Sequence, residues 1–294
     1  MEEGKALNFP MTEESTLIFV GYCIRRNLAS STISSYLSGL AKLHLSRGFK
    51  APNLRSDLVN TVLTGHGNGG GKKPSSKLPC SVKILKLLKC ELRKSNLELS
   101  MQALIFAVAV IGFYGAVRMS EILCKFRTRF EPEYTLLKRD VCINKVVKDN
   151  RVIETLTFKI KSSKTNKSGN HEIVEVMENK GECCPIRAYK RLLKFNKHLS
   201  SESPAFTDNH GKPLVLADLN KHLDTLVNPH LNIKGMKLSG HSFRGGLVTM
   251  YAKLGFSEEQ LKATGGWSSR AFELYIKSAR SKRAQMNIIS SSIN

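Results

Sequence analysis

Apolar residues recur at helical spacing through most of the first sixty positions. Thr12 with Glu14 and Ser15 marks a helix start, and Leu17, Ile18, Val20 and Gly21 follow on one side. Ser30-Ser31-Thr32 restarts the pattern, with Ile33, Tyr36, Leu37, Leu40 and Leu43 three or four apart. A third, short helix is predicted over 54–63. From Thr64 to Pro79 the pattern stops, because Gly65, Gly67, Gly69, Gly70, Gly71, Lys72, Lys73 and Pro74 cannot bury a core. This stretch reads as a flexible basic linker, placing a helical domain at 1–66, the linker at 67–79 and a larger domain at 80–294. A long surface loop within one domain is the other explanation.

Beyond the linker, helices are expected over 81–94 and 98–114. The period then changes. Residues 141–147, 152–161 and 172–177 are rich in β-branched side chains and alternate most clearly at Leu156, Phe158 and Ile160. Asp149-Asn150 closes one hairpin and Thr165–Asn170 the other. Helical patterns return over 185–198, 216–226, 242–254, 257–263 and 269–278. The fold class predicted is mainly α, with a small antiparallel β-sheet inserted early in the larger domain.

Charge changes the picture. Lys and Arg number 46 against 24 Asp and Glu, a net charge of +22 spread along 294 residues. A polyanionic partner follows, because neutralising phosphates releases condensed counterions. Ribosomal and membrane-surface proteins share such a balance. The longest apolar run, 103–117, is too short for a bilayer and holds Gly112 and Gly115, and the start Met-Glu-Glu-Gly-Lys is unlike a secretory signal, so no membrane is expected. The seven cysteines lack paired CxxC spacing and read as reduced thiols of an intracellular protein, with no metal site; Cys183-Cys184 has no matching His or Cys pair.

Four segments carry candidate chemistry. Arg118, after a buried run, must satisfy its charge, and Glu121 is the local partner. Lys161, Lys164 and Lys167 crowd a hairpin tip, where phosphate contact and plain solvation both fit. His241 and Arg244 lie three apart at a helix start and so share a face, as an oxyanion clamp or as a surface pair. Trp267, the single tryptophan, follows Gly265-Gly266, and Tyr275 comes eight positions later; its side chain is a nucleophile or a core residue.

In this order, Arg118, Lys164, His241-x-x-Arg244, Gly266-Trp267 and Tyr275, the chain resembles the phage-integrase type of tyrosine recombinase. Ala116–Ile122 looks like the family's first-arginine segment, and Cys184-Pro185-Ile186-Arg187-Ala188 like its post-sheet helix start. Ser162-Ser163-Lys164-Thr165 with Gly266-Trp267-Ser268-Ser269 is most similar to the Crypton and DIRS recombinases of mobile elements. The resemblance covers residues 80–280, and more faintly 12–66. Trp267 stands where many members have His, and bacterial members often place the tyrosine nine positions on.

The resemblance implies a helical, SAM-like core-binding domain ahead of an α/β catalytic domain, together clamping double-stranded DNA. It implies a catalytic set of Arg118, Lys164, His241, Arg244, Trp267 and Tyr275, supported by Glu121, while Lys72 and Lys73 of the basic linker and Lys161 and Lys167 of the hairpin tip are candidate DNA contacts by their charge. Tyr275 would form a 3′-phosphotyrosine without metal, ATP or other cofactor, and protomers would assemble as a dimer or tetramer on DNA. The expected place is the nucleus in a eukaryote, or the cytoplasm and nucleoid in a bacterium or phage. The tail after Lys277, with Arg280, Lys282 and Arg283 before Met286, Ile288 and Ile289, either docks on a neighbouring protomer or is solvated. A type IB topoisomerase, a domesticated DNA-binding protein without catalysis and an RNA-binding module are the competing readings.

Overall fold

A computed structural model describes residues 9–50, 53–69, 76–148, 150–161, 172–231 and 236–265. The chain divides into two compact units, 1–75 and 76–294.

The first unit holds three helices: α1 (Glu13–Arg25), α2 (Ser30–Ser46) and α3 (Asp57–Gly69). Thr12 caps α1, its Oγ1 accepting from the Ser15 N–H at 3.2 Å while Ser15 Oγ accepts from the Thr12 N–H at 2.8 Å. Val20, Ile33, Leu37, Val59 and Leu63 form the unit's core, whereas Ile18, Tyr36 and Leu43, counted on the apolar faces by their spacing, are exposed. The glycine-rich break at Thr64 does not end α3, which runs on to Gly69. His66 Nε2 lies 2.8 Å from the Leu28 carbonyl, and Ser30 Oγ donates to Leu63 O at 3.1 Å. These tertiary bonds outweigh the poor helix propensity of Gly65 and Gly67.

The second unit begins with β1 (Ser76–Lys77), followed by α4 (Val82–Lys94), α5 (Leu99–Tyr114) and the short α6 (Met119–Ile122). Strands β2 (Val141–Lys148), β3 (Arg151–Ile160) and β4 (Glu172–Met177) form an antiparallel sheet in the order β2-β3-β4. Then come α7 (Pro185–Asn196), α8 (Leu216–Leu226), β5 (Met236–Lys237), α9 (Gly240–Lys253) and α10 (Glu258–Gly265). The fold class is thus mainly helical with a small antiparallel sheet, as the periodicity indicates. Sequence patterns missed the parallel pair β1–β5, two residues a strand and too short for any period. Ser76 and Lys77, read as linker, belong to that pair.

Helix α5 is apolar on every side, which marks a central helix. Leu104, Ile105, Ile111 and Phe113 are fully buried, each contributing roughly 1.5–3 kcal/mol over exposure. It packs on α4, α7 and α9. Lys148 pairs with Arg151, so two residues close the first hairpin, with Asn150 left-handed at φ 57°. One face of β3, Leu156, Phe158 and Ile160, is buried. That face abuts the turn after α5: a Cβ on Gly115 would lie 3.4 Å from Phe158. Helix α9 also takes a strand of backbone on its flank, where the Cys80 N–H donates to Ser242 O at 2.8 Å.

Candidate active site

The turn Gly115-Ala116-Val117 carries the chain from the C-terminus of α5 to Arg118, with Ala116 in the left-handed region at φ 47°. Arg118 occupies the N-cap of α6, so Glu121 sits one turn on and points back. Its Oε2 accepts from the Arg118 N–H at 2.9 Å, and its Oε1 takes Arg118 Nη1 at 2.5 Å. The carboxylate is only 4% exposed and the arginine 23%, so the pair lies at the edge of solvent.

Arg244 reaches the same carboxylate from α9, its Nη1 3.8 Å from Glu121 Oε2. The Arg244 Nη2 also donates to the carbonyl of Gly265, the last residue of α10. One buried carboxylate therefore holds two guanidinium groups from separate elements. Two planar guanidiniums converging on one carboxylate set a group of N–H donors side by side, an arrangement that suits an anion such as a phosphodiester. Glu121 and Arg244 line a cleft of about 310 Å³ with Tyr114, Val117, Tyr251 and Gly265. Glu172 and Glu175 stand exposed on its β4 rim, where solvent weakens their field.

His241 is exposed in the first turn of α9, three positions before Arg244 and so on the same side of the helix. Its turn is fixed from below. The Gly240 N–H donates to Asn220 Oδ1 at 3.0 Å, and a Cβ on Gly240 would fall 2.5 Å from Leu216. Two phenols, Tyr114 and Tyr251, line the cleft. Burial pushes the Tyr114 hydroxyl above its ordinary pKa, making it a poorer nucleophile, and Tyr251 is stacked on Phe256 with centroids 4.6 Å apart.

Of the residues singled out from sequence, the structure thus joins Arg118, Glu121 and Arg244 and places His241 on the helix of Arg244. Lys161 is engaged within the protein. Its ammonium lies 2.5 Å from Asp140 Oδ2, donates to Pro132 O at 3.0 Å, and its side chain is 9% exposed. An aspartate at the foot of β2 captures it, so it is engaged internally. Lys72, Lys73, Lys164, Lys167, Trp267 and Tyr275 lie outside the described residues, as does the tail after Lys277. Two features had no signal in the sequence: the Gly265 carbonyl as an acceptor for Arg244, and the Asp140–Lys161 pair. Among the described residues no cluster of His, Cys, Asp and Glu could hold a metal ion, and no helix is long and apolar enough to cross a membrane.

No family model matches the sequence, and no curated protein is similar to it. The fold has relatives among solved structures. A XerH site-specific recombinase, in a post-cleavage complex with its difH substrate, superposes with TM-score 0.56 at 16% identity, over 95% of this chain and 71% of that one. A lambda integrase dimer bound to a core site gives 0.56 at 13%, over 92% and 82%. The Tn1549 transposon integrase, in complex with transposon right-end DNA, gives 0.57 at 13%, over 99% and 89%. The fold of the chain is therefore that of the site-specific recombinases and integrases.

Proposed function

We propose that the chain is a tyrosine recombinase, an enzyme that cuts and rejoins DNA strands through a covalent 3′-phosphotyrosine at Tyr275. The observation that carries this reading is the meeting of Arg118 and Arg244 on the buried carboxylate of Glu121. A surface ion pair needs no second arginine. An anion clamp does, because two planar guanidiniums can each take a non-bridging oxygen of one phosphate.

In the mechanism Tyr275 attacks the phosphorus. Its phenol, with an ordinary pKa near 10, needs help at neutral pH, and His241 takes the proton or orients the phosphate. Arg118 and Arg244 stabilise the charge gathering on the non-bridging oxygens. Lys164 protonates the leaving 5′ oxygen and Trp267 donates to a phosphate oxygen. Glu121 is a positioning residue. The free 5′ hydroxyl of a partner duplex then attacks the phosphotyrosine, which exchanges strands without metal or ATP. Gly265, held by Arg244, precedes Trp267 by two positions, so the clamp also anchors the chain leading to Trp267 and Tyr275.

The DNA-bound relatives and the net charge of +22 support duplex DNA as substrate and assembly of protomers upon it. Likeness to a transposon integrase, with the motifs around Lys164 and Trp267, supports a mobile-element origin of the Crypton or DIRS kind. The test is covalent trapping. The full chain is incubated with a library of randomised nicked duplexes, and DNA attached to denatured protein is recovered. Wild type is expected to yield adducts and Tyr275→Phe none. Adducts formed equally by both, or by neither, overturn the reading. Arg244→Lys is expected to lower adduct yield about 10²–10³-fold, the usual effect of losing one oxyanion donor.

A further inference from the structure

Residues 125–134, which follow α6, are all exposed, yet they include three large rings: Phe126 at 43%, Phe130 at 40% and Tyr134 at 61%. A loop that shows this much apolar surface to water is either loose or meets a partner. This one is not loose. Cys124 bridges to Val215 just ahead of α8. Arg127 is clasped by Asp218 of α8, with Nε donating to Oδ2 at 3.0 Å. At the far arm the buried Lys161 ammonium holds Pro132 O at 3.0 Å, and the N–H groups of Tyr134 and Thr135 donate to Glu131 O at 3.0 and 2.9 Å. Three internal clasps thus hold a loop whose rings face solvent, so the ordering cost of binding is largely met in advance.

The half of the loop nearer α6 is cationic. Lys125 Nζ and Arg129 Cζ lie 5.2 and 4.9 Å from the centroid of the Phe126 ring. Rings interleaved with guanidinium and ammonium groups present flat π surfaces beside positive charge, the chemistry that takes a nucleobase and its phosphate together. Location points the same way. Arg118 caps α6, whose four residues rise only about 6 Å, and just Leu123 and Cys124 separate that helix from Lys125. The anchor at Val215 is followed by Leu216, the residue that meets the His241 turn at Gly240.

We propose that Lys125–Phe130 is a second nucleic-acid contact, a stacking platform that receives unpaired bases next to the phosphate clamp. The proposal rests on the recombinase reading, because strand exchange needs the freed strand to leave its duplex and so exposes base faces that paired DNA keeps stacked. Phe126 and Phe130 take the bases, and Lys125 and Arg129 the adjoining phosphates.

The experiment compares the full chain on two duplexes of equal length at one salt concentration, fully paired or with a central bubble of unpaired thymines, by fluorescence anisotropy. Wild type is expected to favour the bubble about tenfold, the scale of one good base–aromatic stack. Phe126→Ala/Phe130→Ala is expected to lose that preference and keep its affinity for paired DNA; both rings are exposed, so folding is not at risk. Arg129→Gln is expected to weaken both duplexes alike. A wild type without preference, or a preference that survives loss of both rings, overturns the platform. So does a ring-dependent affinity for phosphatidylserine vesicles with the bubble preference unchanged, which would make the loop a membrane contact. Bubble preference does not require Tyr275, so absence of a Tyr275-dependent adduct sinks the recombinase reading separately.

Discussion

Glu121 offers one carboxylate to two guanidiniums, and each oxygen has a distinct duty: Oε1 takes the side chain of Arg118, Oε2 its backbone N–H and, more distantly, Arg244. Removing the charge while keeping the shape takes away the ionic partner of Arg118, so Glu121→Gln is expected to cost about 2–3 kcal/mol, below the usual range for a buried pair because Arg118 is partly solvated. Urea denaturation measures this. The functional signature differs from simple loss of fold. With one negative charge gone the surface is more positive, so DNA affinity is expected to hold or rise while adduct yield falls at least tenfold at a temperature where the variant stays folded. A parallel fall of binding and cleavage would mean that Glu121 positions nothing. The Arg118–Glu121 half of this arrangement was legible from i, i+3 spacing alone. The Arg244 half was not, since α9 reaches it only through tertiary packing. Lys161 shows the same limit: its ion-pair partner, Asp140, lies beyond a whole hairpin in sequence, so spacing alone could not show it.

Helix α9 carries Arg244 into the cleft because its other side can approach backbone closely. A Cβ on Gly246 would meet Cys80 O at 2.2 Å and Cys80 C at 2.9 Å, both rigid main-chain atoms. On Gly112 of α5 it would meet Met119 Cε at 2.0 Å, the free end of a flexible side chain. The two alanine substitutions should therefore separate. Gly246→Ala is expected to push the 78–81 segment off α9 and to cost about 2–3 kcal/mol, with Gly112→Ala nearer 1 kcal/mol because Met119 can change rotamer. Thermal melts of the two variants decide it, and equal losses would show that the Cys80 backbone yields as easily as a methionine. Element boundaries were readable where local chemistry sets them, as at Thr12 and Ser81, both N-caps whose side chains accept from the first turn. They were not readable where distant contacts decide, as in the run of α3 past Thr64 or in the β1–β5 pair.

The whole chain joins two units of unequal means. Around α5 the larger unit buries a core continuous from α4 through the sheet to α9, whereas α1–α3 share a small core around Val20, Ile33 and Leu37. A unit of 75 residues removes a smaller fraction of its surface from water than a larger one and is marginal by itself. It is held in part by polar bonds, with buried His44 accepting from the Met11 N–H at 2.9 Å and contacting Leu40 O at 2.7 Å. Backbone amides of α1–α3 are therefore expected to exchange with solvent through an opening that costs at least ~2 kcal/mol less than the opening needed for 107–111 of α5. Hydrogen exchange read by mass spectrometry across a denaturant series separates the two, because the cheaper opening exposes less surface and responds more weakly to denaturant. If the two sets converge on one free energy and one slope, the units unfold as a single cooperative body. In that case the division between them is one of packing alone.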